Sequence, residues 1–179
     1  MIKSFPTPRG VIIIREANLS DVEQFRALRL FALQDSPTAF SSDYQINFNH
    51  PTSFWENRLR PDPNGTIFFS ENNSGIIGMT GIRRGESPKT KHSAEVWGVF
   101  VRPEWRGICL AGEMIEMCCA WAKSRDVEIV KLAVVAINSS AIHCYERCGF
   151  KKYGIEPRAL LFDGVYYDEL LMSRSLHGS

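Results

Sequence analysis

The stretch from Glu95 to Trp121 constrains this chain more than any other. Glu95-Val-Trp-Gly-Val-Phe-Val101 carries large apolar residues over a short run, as a strand does. Arg102-Pro103 ends it, because proline brings no N–H to a ladder and restricts the residue before it. Trp105-Arg106-Gly107-Ile108 then makes a short basic loop with a glycine. From Leu110 the apolar residues fall at Leu110, Met114, Met117, Cys118 and Trp121, the spacing of one helix face. Strand, basic loop and helix start suit an anion. The first N–H groups of a helix lack partners within it, and its dipole is positive there.

These residues resemble the signature of the GNAT superfamily of acyl-CoA N-acyltransferases, V-x-P-x-x-R-G-x-G-x-G/A. Here it stands as Val101-Arg102-Pro103-Glu104-Trp105-Arg106-Gly107-Ile108-Cys109-Leu110-Ala111, with Cys109 where the family has its second glycine. Asn138 to Phe150, with Ala141, Tyr145 and the closing Gly149-Phe150, is similar to the family's N-x-x-A-x-x-x-Y-x-x-x-G-F. Asp163 to Met172 is similar to the closing hairpin strand of many members. Three blocks in family order cover roughly the last half of the chain.

The resemblance implies a mixed α/β sheet, mostly antiparallel at its centre, with helices on both faces. It implies acetyl-CoA as co-substrate and transfer of the acetyl group to a primary amine, either a small amine or a peptide amine, by direct attack. Arg106, through a charge-assisted contact, Gly107 and the backbone N–H groups of Ile108, Cys109, Leu110 and Ala111 would cradle the pyrophosphate. The backbone of Val99, Phe100 and Val101 would pair with the pantetheine arm like an added strand, and Asn138 would hydrogen-bond it. Tyr145 would protonate the departing thiolate. Glu95 would serve as base, through water. A catalytically silent acyl-CoA-binding regulatory module is the alternative that the replacement at Cys109 leaves open.

The chemistry demands these roles. A lysine-like amine, with a pKa near ~10.4, is almost wholly protonated at neutral pH and must lose a proton before it attacks. A thiol near ~8.5 leaves more readily when an acid stands at the sulfur. Period-2 spacing sets Glu95, Trp97, Val99 and Val101 on one strand face. Asp35, Asp43 and Glu95 hint at a cationic acceptor, and the walls around it are expected from residues 38–49 and 156–163.

The rest of the chain agrees with an ordinary soluble domain. Its 179 residues suffice for one domain with its own core, taken as residues 1–179. The net charge of +1 gives no general attraction to nucleic acid or anionic membrane. No long apolar run suggests a signal peptide or a bilayer span, so a cytoplasmic enzyme is expected, with a homodimer left open. The cysteines, 5 in number, are read as reduced and buried. Cys144 and Cys148 lie four apart without further ligands of metal-site spacing, so no metal is expected.

The remaining elements follow from local signals. After a loose start, residues 11–15 read as the first strand. Ser20 and Glu23 read as a capping box opening a helix to about Leu33, and Thr52 or Ser53 as the cap of a short helix to Leu59. Residues 66–70 and 76–82 read as a strand pair around Asn72-Asn73-Ser74-Gly75. Residues 129–136 read as a buried strand, 139–148 as a helix ended by Gly149, and the close as two strands around Asp163-Gly164.

Overall fold

The computed structural model describes residues 1–176. The chain forms β1 (Ile2–Thr7), β2 (Gly10–Glu16), α1 (Val22–Asp35), α2 (Tyr44–Phe48), α3 (Thr52–Leu59), β3 (Gly65–Asn72) and β4 (Gly75–Arg84). It continues as β5 (Ser93–Val101), α4 (Leu110–Lys123), β6 (Ile129–Val135), α5 (Ser139–Arg147), β7 (Lys151–Phe162) and β8 (Val165–Ser175). The strands build one sheet in the order β1-β2-β3-β4-β5-β6-β8-β7. Every neighbouring pair is antiparallel except β5 with β6. This is the mixed α/β architecture expected from the sequence. No helix among the described residues is long and apolar enough to cross a membrane.

Two cores, one on each face, hold the sheet. On the first, α1 and α3 bury Phe25, Leu28 and Trp55 against Phe69, Met79 and Phe100. Phe25 meets the Trp55 ring edge-on, with centroids 5.5 Å apart. On the second, α4 and α5 bury Met114, Cys118, Trp121 and Tyr145 against Phe68, Val96 and Leu132. Each such side chain contributes about 1.5–3 kcal/mol on leaving water, so both faces anchor the helices that flank the sheet's centre.

Several local expectations change. Residues 2–7, read as loose, pair with β2 as an edge strand. Their side chains are mostly exposed, and Pro6 is tolerated where an edge lacks a neighbour. The capping box sits earlier than Ser20 and Glu23: the Asn18 side chain accepts from Ser20 N–H at 2.9 Å, and Asn18 N–H donates to Asp21 at 2.8 Å. The cause is Arg15, whose guanidinium donates two bonds of 2.8 Å to Asp21 and fixes that carboxylate in place. Thr52 lies inside α3, which Pro51 precedes. The buried cysteines are Cys118 and Cys119, whereas Cys109 is exposed and Cys144 and Cys148 are half-buried.

Asp21 is 3% exposed and ties the entry of α1 to β2, and through Arg15 and Glu71 to β3. Burial pushes its carboxyl up, but hydrogen bonds from Arg15 and the Asn18 N–H outweigh that and hold it below its ordinary value. A carboxyl lowered on folding contributes stability above its unfolded value, near ~3.9, and loses it as pH falls through the folded value. Asp21→Asn is therefore expected to cost about 2–3 kcal/mol at pH 7 by urea denaturation, since it breaks a buried pair. Acidification below pH ~4 narrows the gap between wild type and variant. A gap independent of pH contradicts the assignment.

Candidate active site

The site begins where the sheet opens. β5 and β6 pair in parallel only at Ser93 with Ile129, Ala94 with Val130 and Glu95 with Lys131. Beyond them β6 stays with β8 as far as Val135, while β5 stays with β4. The divergence coincides with a bulge. Gly81 pairs with Trp97 and Met79 with Phe100, so β5 carries one residue more than β4 between them. Gly98 takes up the kink with φ +66°, a conformation that disfavours any side chain. The bulge also overturns the expected single face. Glu95 and Trp97 share the α1–α3 side with Phe100, while Val99 and Val101 face α4 with Ala94 and Val96.

Between the separated strands lies a cavity of about 660 Å³. Its walls include Trp97 to Val101 from β5, Leu132 to Val135 from β6, and Tyr145 from α5. Past the bulge, the β6 side of β5 has lost its ladder, so its backbone groups, apart from the Val101 C=O that Arg106 occupies, are open to an extended ligand. A larger cavity of about 1000 Å³ lies along α3 and the start of β3, and the two share only Trp97.

At the far end stands the start of α4. Gly107 has φ +81° and Cys109 φ +63°, and the helix begins at Leu110. Cys109 C=O already accepts Glu113 N–H at 3.1 Å, while the first N–H groups of the helix point out of it. Gly107, Cys109, Leu110 and Ala111 all line the cavity. Arg106 lines the cavity as well, with its guanidinium already engaged. It donates to Val101 C=O at 3.0 Å and to Asp35 at 2.5 Å, joining the loop to the end of α1. Asp43 caps α2 by accepting Ile46 N–H at 2.8 Å. Asp35 is therefore taken up by Arg106, and neither acid lines the cavity.

α5 brings the other predicted groups. The Asn138 side chain caps it by accepting Ala141 N–H at 3.2 Å and lines the cavity. Tyr145 is 8% exposed and lines the same cavity. Burial pushes its hydroxyl well above the usual phenol value, so it keeps its proton at neutral pH. Of the expected acceptor walls, Ala39 and Phe40 reach the cavity, whereas residues 156–163 do not.

Glu95 lies outside this group. It is exposed and lines an adjoining cleft of about 670 Å³ with Lys131 and Tyr153; Trp97, Leu132 and Ala133 border both spaces. Sequence reasoning passed over Glu169 on β8, which pairs with Val135 and is half-buried. Burial first, then the charges of Glu156 and Glu95, push its carboxyl above the ordinary value. It also passed over Arg29, which occupies the apolar face of α1 four residues after Phe25. A charged residue on that stripe is the signal that could have marked it.

The family model described as "Acetyltransferase (GNAT) family" matches residues 28–150. Over 168 residues the chain is 29% identical to "L-amino acid N-acetyltransferase AaaT" of Escherichia coli (strain K12), covering 91% of this chain and 97% of that one. A GNAT-family acetyltransferase from Streptococcus pneumoniae shares the fold with a TM-score of 0.81 at 21% identity, over 92% of this chain and 99% of its own. The yncA protein of Salmonella typhimurium, solved with its cofactor acetyl-CoA, superposes with a TM-score of 0.79 at 18% identity, over 94% and 95% of the two chains.

The left-handed Cys109 gives a local test. A side chain in that conformation costs about 1–2 kcal/mol, and the Cys109 side chain is exposed. Cys109→Gly is expected to raise the melting temperature by a few degrees, an increment of about 1 kcal/mol. An unchanged or lower value would mean that the thiol makes a stabilising contact.

Proposed function

This chain belongs to the Acetyltransferase (GNAT) family, is an N-acetyltransferase that draws on acetyl-CoA, and from that premise we propose which acceptor it takes and which residues act. The acceptor is a primary amine on a small molecule, which attacks the thioester directly. The name of the E. coli relative, an L-amino acid N-acetyltransferase, supports small amines as the first acceptors to try.

The observation that carries the assignment of roles is the opening between β5 and β6 with the α4 N-terminus at its end. The N–H groups of Gly107 to Ala111 receive the pyrophosphate, where helix dipole and free donors favour an anion. The pantetheine arm lies along Val99 to Val101 and takes the backbone bonds that β6 gives up. Arg106 serves by holding this loop to Val101 and Asp35 rather than by touching phosphate. With the arm in that direction, the thioester comes to the Gly98 end.

Tyr145 is the acid. A phenol that keeps its proton until a thiolate forms beside it is matched to that task. Glu95 and Glu169 supply the base through water. Burial first, then the charges of Glu156 and Glu95, raise the proton affinity of Glu169, the direction a base needs. The tetrahedral intermediate then collapses with the proton from Tyr145 passing to sulfur.

Tyr145→Phe retains the ring and its packing. Turnover of the acetylated amine is expected to fall by about 10²–10⁴-fold, with acetyl-CoA affinity unchanged by calorimetry. Full activity in that variant removes Tyr145 from the mechanism. Glu169→Gln and Glu95→Gln are expected to lose most activity at low pH, where removal of the amine proton limits the rate. Their deficit shrinks as pH approaches the amine's own pKa. A deficit that grows with pH rules out the role of base.

A further inference from the structure

An arginine with no ion pair among the described residues stands behind the β5 bulge. Arg29 of α1 is 6% exposed. Its Nη2 donates to Ser42 Oγ at 3.1 Å, and its guanidinium lies 4.6 Å over the Phe40 ring. Its Nη1 is buried with no hydrogen-bond partner among the described residues. That nitrogen looks toward β5: a Cβ built on Gly98 would lie 3.7 Å from it, and nothing else within 4 Å. Gly98 and Phe40 both line the cavity between β5 and β6.

The nearest influential charge is also positive. Arg58 of α3 lies 4.9 Å over the Trp97 ring and joins no ion pair among the described residues. Burial, and then the Arg58 charge, push Arg29 down to about 10, which leaves it cationic at neutral pH. Buried charges in folded proteins are ordinarily paired, because an unpaired one loses its hydration without return. The neighbouring acids are engaged elsewhere, Asp35 with Arg106 and Asp43 at the start of α2. No acid among the described residues pairs with Arg29, which leaves it ready for a bound anion.

Its place says which anion. The phosphates of acetyl-CoA belong at residues 107–111, and the arm runs from there along Val101 and Val99. The Gly98 end is where the thioester and the amine meet, so a group held at Arg29 is part of the acceptor. A guanidinium presents parallel N–H donors that match a planar carboxylate. Phe40, Trp97 and Phe100 surround the same end of the cavity and suit an apolar side chain.

We propose that Arg29, with the charge of Arg58 acting from across Trp97, holds the carboxylate of the acceptor, so that the substrate is an amino acid with an apolar side chain whose amine is directed at the thioester. This rests on the acetyl-transfer reading above. The carboxylate is bound and released unchanged; the only bonds exchanged are those of acetyl transfer.

The experiment compares L-leucine and L-phenylalanine with their carboxamides and with the amines lacking the carboxyl group, each with acetyl-CoA, by release of the coenzyme A thiol. Wild type is expected to prefer the acids by at least about tenfold in kcat/KM, the effect of one charge-assisted bond. The carboxamides are the more easily deprotonated amines, so the preference runs against intrinsic reactivity. Arg29→Met abolishes it, mainly through a raised KM for the acids, while acetyl-CoA affinity stays as it was. Arg58→Met weakens it less. Equal or better use of the carboxamides by wild type overturns the carboxylate site and leaves the transferase reading intact, whether or not Arg29→Met folds. Calorimetry with L-phenylalanine and coenzyme A separates the other failure. Binding that Arg29→Met abolishes, without turnover of any amine, keeps the site and sinks the transfer. Neither binding nor turnover overturns both.

Discussion

The separation of β5 from β6 is the constraint on which the site depends, and it is a consequence of one extra residue. Continuous pairing would close the cavity and satisfy the backbone of Val99 to Val101 internally. The bulge at Gly98 prevents this, since the two strands leave Glu95 and Lys131 in different directions. Trp97 lies on the side opposite Val96, and its indole crosses Gly81, where a Cβ would stand 2.2 Å from the ring. Two glycines on neighbouring strands therefore set the opening. One supplies a left-handed conformation and the other an absent side chain. The sheet stays sound because β6 finds full partnership in β8 and β5 in β4.

Around that opening the charges are sorted by distance along it. Helix N–H donors gather at the α4 end, and the carboxylates of Glu156 and Glu95, on β7 and β5, act on that of Glu169 on β8. Buried guanidinium stands behind the bulge. Each arrangement is unfavourable to folding by itself, since like charges repel and a desolvated cation lacks its hydration. Tolerated together on a scaffold whose two cores are apolar, they fit the proposed placing of an anionic cofactor at one end and an amine acceptor at the other.

What the sequence made legible was what local chemistry decides. The strand, loop and helix of residues 95–121 follow from proline, glycine and apolar spacing, and the structure keeps them. α5 and its terminal Gly149, at φ +80°, were equally plain. The hidden parts depend on partners distant in sequence. β1 is an edge strand with little apolar signal, and it forms because β2 offers a ladder. The Asn18 cap wins over Ser20 because Arg15 pins Asp21. Alternation along β5 cannot foresee an extra residue against β4, so Val99 and Val101 were placed on the wrong face. Arg29 reads as one surface cation among many until packing removes its water. Asp35 looked available for an acceptor until Arg106 was seen to occupy it.

Backbone amide exchange with and without acetyl-CoA tests the central claim most directly. If the open side of β5 receives the pantetheine arm, amides within residues 98–101 and 107–111 slow by at least about tenfold on adding acetyl-CoA, a change worth ~1.4 kcal/mol of local protection. Amides of β3, already paired on both sides, stay as they were. Protection that appears instead along residues 60–66, where the larger cavity lies, would contradict the account.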